Sequence, residues 1–117
     1  MIEKLSKFFK ILSIEFLDLE EGLEAHIHAS DERYGKKEIT AYVHKENTAL
    51  LEREITDIRF LRERIQDVSS HEFNTLDEAA SEIVSVINSF PGIPHAVHRY
   101  MERKVWKVLE YVTVFEK

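Results

Sequence analysis

The strongest structural signal in the sequence is an apolar repeat that runs through residues 48–68. Its members are separated by alternating steps of three and four residues, the spacing that places side chains on one face of an α-helix. Charged residues fill most of the positions between them. The pattern predicts an amphipathic helix over 48–68 that packs its apolar face against the rest of the chain, with Asn47 or Thr48 as its N-cap. The repeat consists of Leu51, Ile55, Ile58, Leu61, Ile65 and Val68.

Two further segments have helical signals. Apolar residues at helical spacing, with charged residues between them, predict a short amphipathic helix over 2–12. Thr75 followed by Glu78 is a capping-box pattern, in which each side chain satisfies a backbone N–H at the start of a helix. It predicts a helix that begins after Thr75 and ends before the Pro91–Pro94 segment, because proline interrupts helical hydrogen bonding.

The C-terminal segment carries two competing patterns. Apolar residues at helical spacing favour a helix that starts near Pro94. The stretch 105–115, however, is rich in β-branched and aromatic side chains, which favour strand. We therefore expect a helix from His95 to about Glu110, followed by an extended tail that pairs with a sheet.

Alternating apolar and polar residues predict β-strands before the long helix. The clearest alternation covers 23–30, a second covers 38–44, and 14–19 is a third, less regular candidate. Glu21-Gly22 predicts a turn before the 23–30 strand, since glycine adopts positive φ freely, and the polar loop 31–37 connects the two clearer strands. The odd-numbered apolar side chains share one face, which we expect to pack on the long helix. This face consists of Ala25, Ile27, Ile39, Ala41 and Val43.

These elements predict an α+β fold in a single compact domain over 1–117. A small antiparallel β-meander of two or three strands, joined or not by a C-terminal strand, packs against two to four helices. The length suits one domain, and no apolar run is long enough to cross a membrane. The chain has no cysteine, which excludes disulfides and thiol chemistry and is compatible with the cytoplasmic location we expect.

Charge is distributed unevenly along the chain and points to one candidate binding segment. The net charge is −6, yet residues 95–117 are net positive. In a helix, basic residues four apart would form a stripe flanked by aromatic side chains, which suits an acidic protein or RNA. It also suits a merely solvated face that pairs with the acidic remainder. The candidate partner-binding residues are Arg99, Arg103, Lys104, Trp106 and Lys107.

Three histidines are weak candidates for a metal site. His26 and His28 lie two apart in a predicted strand, so both would point to one sheet face, and His44 has the same parity on the neighbouring strand. Imidazoles that converge in this way suit zinc, nickel or copper. No carboxylate ligand is fixed by the pattern, so we expect an ordinary polar sheet face and no bound metal or other cofactor.

Arg64 and His71 are separated by six residues, a spacing that resembles the RNA-cleaving motif of HEPN ribonucleases. The resemblance implies a histidine that acts as general acid/base and an arginine that stabilises the charge on the phosphorane. It covers these two residues only. That family is helical, whereas a hairpin is predicted here, so we assign no membership.

The function expected from the sequence is a small, acidic, non-enzymatic protein-interaction module of the adaptor, inhibitor, immunity or chaperone type. No phosphate-binding loop or catalytic set is apparent, and large apolar residues exceed what so small a core holds, which favours a protein partner or a homodimer. Two alternatives remain open: an RNA-binding or RNA-processing protein that uses the basic C-terminal helix, and a histidine-based metal-binding protein. We expect no membrane association.

Overall fold

The computed structural model describes residues 2–115, and these residues form four α-helices and no β-strand. Met1, Glu116 and Lys117, which the predicted domain includes, lie outside the described residues. The predicted α+β fold is therefore wrong, because both predicted hairpin strands lie within helices or the turn between them. The helices are α1 (Ile2–Gly35), α2 (Ala41–Val68), α3 (Leu76–Asn88) and α4 (His95–Phe115).

The helical hairpin of α1 and α2 dominates the shape of the molecule. At 1.5 Å per residue α1 is about 51 Å long and α2 about 42 Å, whereas α3 is about 20 Å. α3 and α4 pack against one half of this hairpin, with α4 beside α1 and α3 beside α2. The other half projects as an arm, and between residues 21 and 54 only Ser30 is buried. The molecule measures 55 × 27 × 20 Å as a result.

The core lies where all four helices meet. Phe8, Leu12 and Phe16 of α1 are fully buried there. The predicted apolar face of α2 is confirmed over Ile55–Val68, since its members at 55, 58, 61, 65 and 68 are all buried. α3 contributes Ile83 and Ile87, also fully buried. From α4 the core takes Met101, Val105, Val108 and Val112.

The predicted strand 23–30 is a continuous part of α1. Leu23, Ile27 and Ser30 are the less exposed residues of this segment, and their spacing of four and three is helical. Ala25 and Ala29, which completed the apparent alternation, are exposed. Alanine has the highest helix propensity of all residues and is favourable at exposed helix positions. Its occurrence at 25 and 29 therefore does not indicate that these positions are buried. The predicted packing of an odd-numbered sheet face on α2 is therefore also wrong.

The turn between α1 and α2 lies at residues 36–40 and overlaps the end of the predicted polar loop 31–37, whereas the turn predicted at Glu21-Gly22 does not form. Gly22 is inside α1. The C-terminus of α1 has the Schellman hydrogen-bond pattern, with Glu38 N donating to Arg33 O and Lys37 N to Tyr34 O. Lys37 has φ 62°, the left-handed conformation that this motif requires. α2 then starts after Thr40, whose Oγ1 accepts from Val43 N at 3.2 Å, so the predicted cap at Asn47 or Thr48 is wrong.

The prediction of Thr75 as the N-cap of α3 is confirmed, whereas the reciprocal hydrogen bond of the capping box is not formed. Glu78 N donates to Thr75 Oγ1 at 3.1 Å, and the Glu78 carboxylate accepts from Asn74 N rather than from Thr75 N. α4 begins at His95 as predicted, after the Pro91–Pro94 segment. It continues as helix to Phe115, so the predicted extended tail is wrong. Val105, Val108 and Val112 are buried on its inner face, and their packing outweighs the weak preference of β-branched residues for strand.

Candidate protein interface

The basic stripe predicted from the sequence lies on the outer face of α4. Arg99, Arg103 and Lys107 are four apart, so they share one face of the helix, and all three are exposed. The buried residues Met101, Val105 and Val108 fix this orientation by facing the core. Trp106, with 41% of its surface exposed, lies beside the stripe. We call Arg99, Arg103, Trp106 and Lys107 the α4 cationic face.

The three cations of this face have no ion-pair partner among residues 2–115. Some basic residues elsewhere have partners, including Arg59 and Arg62 on α2, whereas others, such as Lys45, have none among residues 2–115. The solvated-face interpretation required pairing with the acidic remainder of the domain, and no such pairing occurs within the described structure. The α4 cationic face is thus accessible and has no ion pair in the described structure, and the exposed Glu110 lies on the same side of the helix, three residues after Lys107.

Lys104, the fifth predicted partner-binding residue, points away from this face. Its Nζ lies 3.1 Å from Glu15 Oε2 on α1 and 5.6 Å from the centre of the Tyr100 ring. The hydrogen bond with the Glu15 carboxylate raises the pKa of the Lys104 ammonium, and its partial desolvation opposes the increase. Lys104 therefore joins α4 to α1, and four of the five predicted residues remain on the outer face.

The histidines proposed as metal ligands do not converge. His26 and His28 are two apart in a helix, so they point to different sides of α1, and both are exposed. His44 lies on α2, where its Nε2 is 2.7 Å from Asp31 Oδ1 and its ring stacks on Tyr34 at 4.6 Å between centroids. Within residues 2–115 no group of three or more potential ligands is close enough to hold a metal ion.

Arg64 and His71, the pair compared with HEPN ribonucleases, lie at and beyond the end of α2. Both are exposed. The helical fold removes the hairpin objection to that comparison. His71 lines a groove between α1 and α2, and Arg64 does not belong to the lining of that groove.

The groove itself was not predicted from the sequence. It lies between the first half of α1 and the end of α2, is closed by the loop between α2 and α3, and has a volume of about 780 Å³. Phe73 of the loop lies 6.3 Å from Phe9 of α1 between ring centroids. The only sequence signal was Phe73, an apolar residue within an otherwise polar loop.

Comparison of the chain with protein-family models, with curated proteins and with solved structures finds no match in any of the three. Among the helices of residues 2–115, none combines the length and apolar character needed to cross a bilayer. The function must therefore be argued from the exposed surfaces of the molecule.

Proposed function

We propose that this chain is a non-enzymatic protein-interaction module, and that its α4 cationic face binds an acidic segment of a partner protein. The observation that carries the proposal is the presence of three exposed, unpaired cations beside a half-exposed Trp106, in a chain of net charge −6. Arginine and tryptophan are the side chains that most often dominate binding energy at protein interfaces.

Two physical effects support an acidic partner. Unpaired cations on one face raise the rate of encounter with an oppositely charged surface. The aromatic body of Trp106 then contributes contact area that a purely ionic contact lacks. Because the face is the outer side of a helix whose inner side is fixed in the core by Met101 and Val105, its side chains are presented on a rigid element.

A protein partner is favoured over RNA by the number and setting of the cations. Affinity for nucleic acid depends on releasing counterions from many phosphates. The face offers only Arg99, Arg103 and Lys107, and the acidic excess of the whole chain repels a long polyanion. RNA binding is the alternative that nuclease treatment distinguishes in the experiment below. The proposal includes the cytoplasmic location expected from the sequence, with which the absence of cysteine is compatible.

The experiment is affinity capture from the source cell with three forms of the protein, with and without nuclease. The first form is wild type and the second carries R99Q, R103Q and K107Q together. The third is a matched control with K36Q, K45Q and R53Q, which removes three exposed cations from the arm.

We expect wild type and the control variant to retain the same partner protein after nuclease treatment, and the α4 variant to lose it. A partner that all three forms retain equally would contradict the proposal. Capture that disappears with nuclease, and that the α4 variant but not the control loses, would instead identify RNA as the ligand of the same face. Circular dichroism of each variant verifies that the fold is unchanged.

A further inference from the structure

The groove between α1 and α2 has the size and walls of a small-molecule site. Its volume of about 780 Å³ falls within the range of roughly 300–1,000 Å³ that is usual for ligand pockets. Ile2 and Ile14, which line it, are 84% and 51% exposed. Apolar side chains of its lining are therefore in contact with water, and a ligand in the groove would cover part of them.

Three aromatic rings of the groove lining form a connected series with a fourth ring in the core. Phe8 lies 5.5 Å from Phe9 between ring centroids, Phe9 lies 6.3 Å from Phe73, and Phe73 lies 6.3 Å from His71. Phe8 is fully buried in the core, so core packing holds the first ring of the series in place. The other members line the groove and provide an apolar, polarizable surface for the body of a ligand.

The charge in the groove favours an anion. Lys10 and Arg62 are cations in its lining, and Glu72 is the one acidic residue in the part that the structure describes. Arg62 contacts Glu20 through Nη1 at 2.9 Å, but a guanidinium has five N–H donors, so one contact does not exhaust it. The lining thus carries two cations and one carboxylate in a chain that is net negative, and the buried Glu20 offsets part of the charge of Arg62.

We propose that the groove binds a free anionic amphiphile, a molecule with one apolar chain or ring system and one carboxylate or phosphate headgroup. The headgroup contacts Lys10 and Arg62, and the apolar body lies along Phe9 and Phe73. The inference is independent of the α4 cationic face, because no residue of that face lines the groove.

The test is calorimetric titration with three probes of equal chain length: decanoate, decanol and decyltrimethylammonium, each as monomer. Ser6→Trp places a large ring in the groove from an exposed position, and Ser85→Trp on the exposed side of α3 is its control. Lys10→Glu reverses one cation of the groove, and Lys45→Glu on α2 is the charge control.

We expect decanoate to bind wild type and both controls alike, and Ser6→Trp to weaken it at least tenfold. Lys10→Glu should weaken decanoate several-fold and leave decanol unchanged. Equal binding of decyltrimethylammonium, or unchanged decanoate binding to Ser6→Trp, would overturn the proposal. So would sedimentation that finds wild type dimeric and Ser6→Trp monomeric, because a second copy would then occupy the groove. Binding to anionic vesicles without binding to monomeric decanoate would also overturn it.

Discussion

Glu20 of α1 and Arg62 of α2 form an ion pair inside the helical bundle, with Oε2 and Nη1 2.9 Å apart. Only 3% of the Glu20 side chain is exposed. Its second oxygen, Oε1, accepts a hydrogen bond from Arg59 Nε at 2.9 Å. The contact with Arg62 lacks hydrogen-bond alignment, since Oε2 has no hydrogen-bond partner. One buried carboxylate is thus compensated by two guanidinium groups that reach in from the surface, just where the arm leaves the bundle.

We predict that Glu20→Ala lowers the free energy of unfolding by about 1–3 kcal/mol, the range for losing hydrogen bonds to a charged group. Glu24→Ala is the control, because Glu24 contacts the same Arg59 from an exposed position, where ion pairs contribute roughly 0–1 kcal/mol. Urea denaturation of both variants measures the difference. Equal losses for the two variants would show that the burial of Glu20 has no energetic consequence.

Gly22→Ala is predicted to stabilise the protein by roughly 0.5–1 kcal/mol, because alanine replaces glycine inside an exposed helix. A Cβ at position 22 has no neighbour within 4 Å. At Gly92 the same change would place a Cβ 3.0 Å from Asp57 Oδ2, so Gly92→Ala should not stabilise. Thermal unfolding measures both. A loss of stability for Gly22→Ala would favour the hairpin turn that the sequence predicted there.

Lys37→Gly is predicted to stabilise the protein by about 0.5–1 kcal/mol. Lys37 occupies the left-handed position of the Schellman motif with φ 62°, where glycine has no Cβ penalty. Lys36→Gly is the matched control at the neighbouring residue, where φ is not positive and glycine brings only its entropic cost. The free energy of unfolding, measured by chemical denaturation, should rise for Lys37→Gly and fall for Lys36→Gly. A decrease for both variants would contradict the turn geometry.

The sequence predicted some elements of the fold correctly and others wrongly, and the reasons differ from element to element. The helical repeat of α2 was predictable because the same face is buried turn after turn. The N-cap at Thr75 was predictable because it depends on a hydrogen bond with Glu78, three residues away. The arm was not predictable from periodicity, since its helices have few buried residues and hence a weak apolar stripe. There, Ala25 and Ala29 produced an alternation typical of a strand, Gly22 indicated a turn that does not form, and the predicted loop 31–37 ended before the observed turn at 36–40 did.

The α4 cationic face could be located from residue spacing. Arg99, Arg103 and Lys107 are four residues apart, so they share one side of the helix regardless of its tertiary contacts. The separation of Lys104 could not be predicted, since it depends on Glu15, which is distant in sequence. The convergence of His26, His28 and His44 was an artefact of the strand assignment. The groove could not be predicted from the sequence, because its lining comes from α1, the end of α2 and the loop between α2 and α3.

The contact between Lys104 and Glu15 predicts a dependence of stability on high pH. The folded state raises the pKa of Lys104 above its unfolded value of about 10.4. The contribution of the pair is therefore complete below that value and is lost as pH rises through the higher folded-state pKa. NMR titration of Lys104 Nζ should give a lower pKa in Glu15→Gln than in wild type. Glu110→Gln is the control, and an identical pKa in wild type and Glu15→Gln would contradict the assignment.

The most direct test of the proposed function uses Trp106, the single tryptophan of the chain. Incorporation of 5-fluorotryptophan gives one ¹⁹F resonance at the α4 cationic face, which a partner's own tryptophans cannot obscure. The partner protein recovered by affinity capture is titrated into the labelled chain, while sedimentation measures complex formation independently. We predict that the resonance shifts and saturates in parallel with complex formation. A complex that forms fully while this resonance stays unchanged would show that the partner binds another surface and would contradict the account.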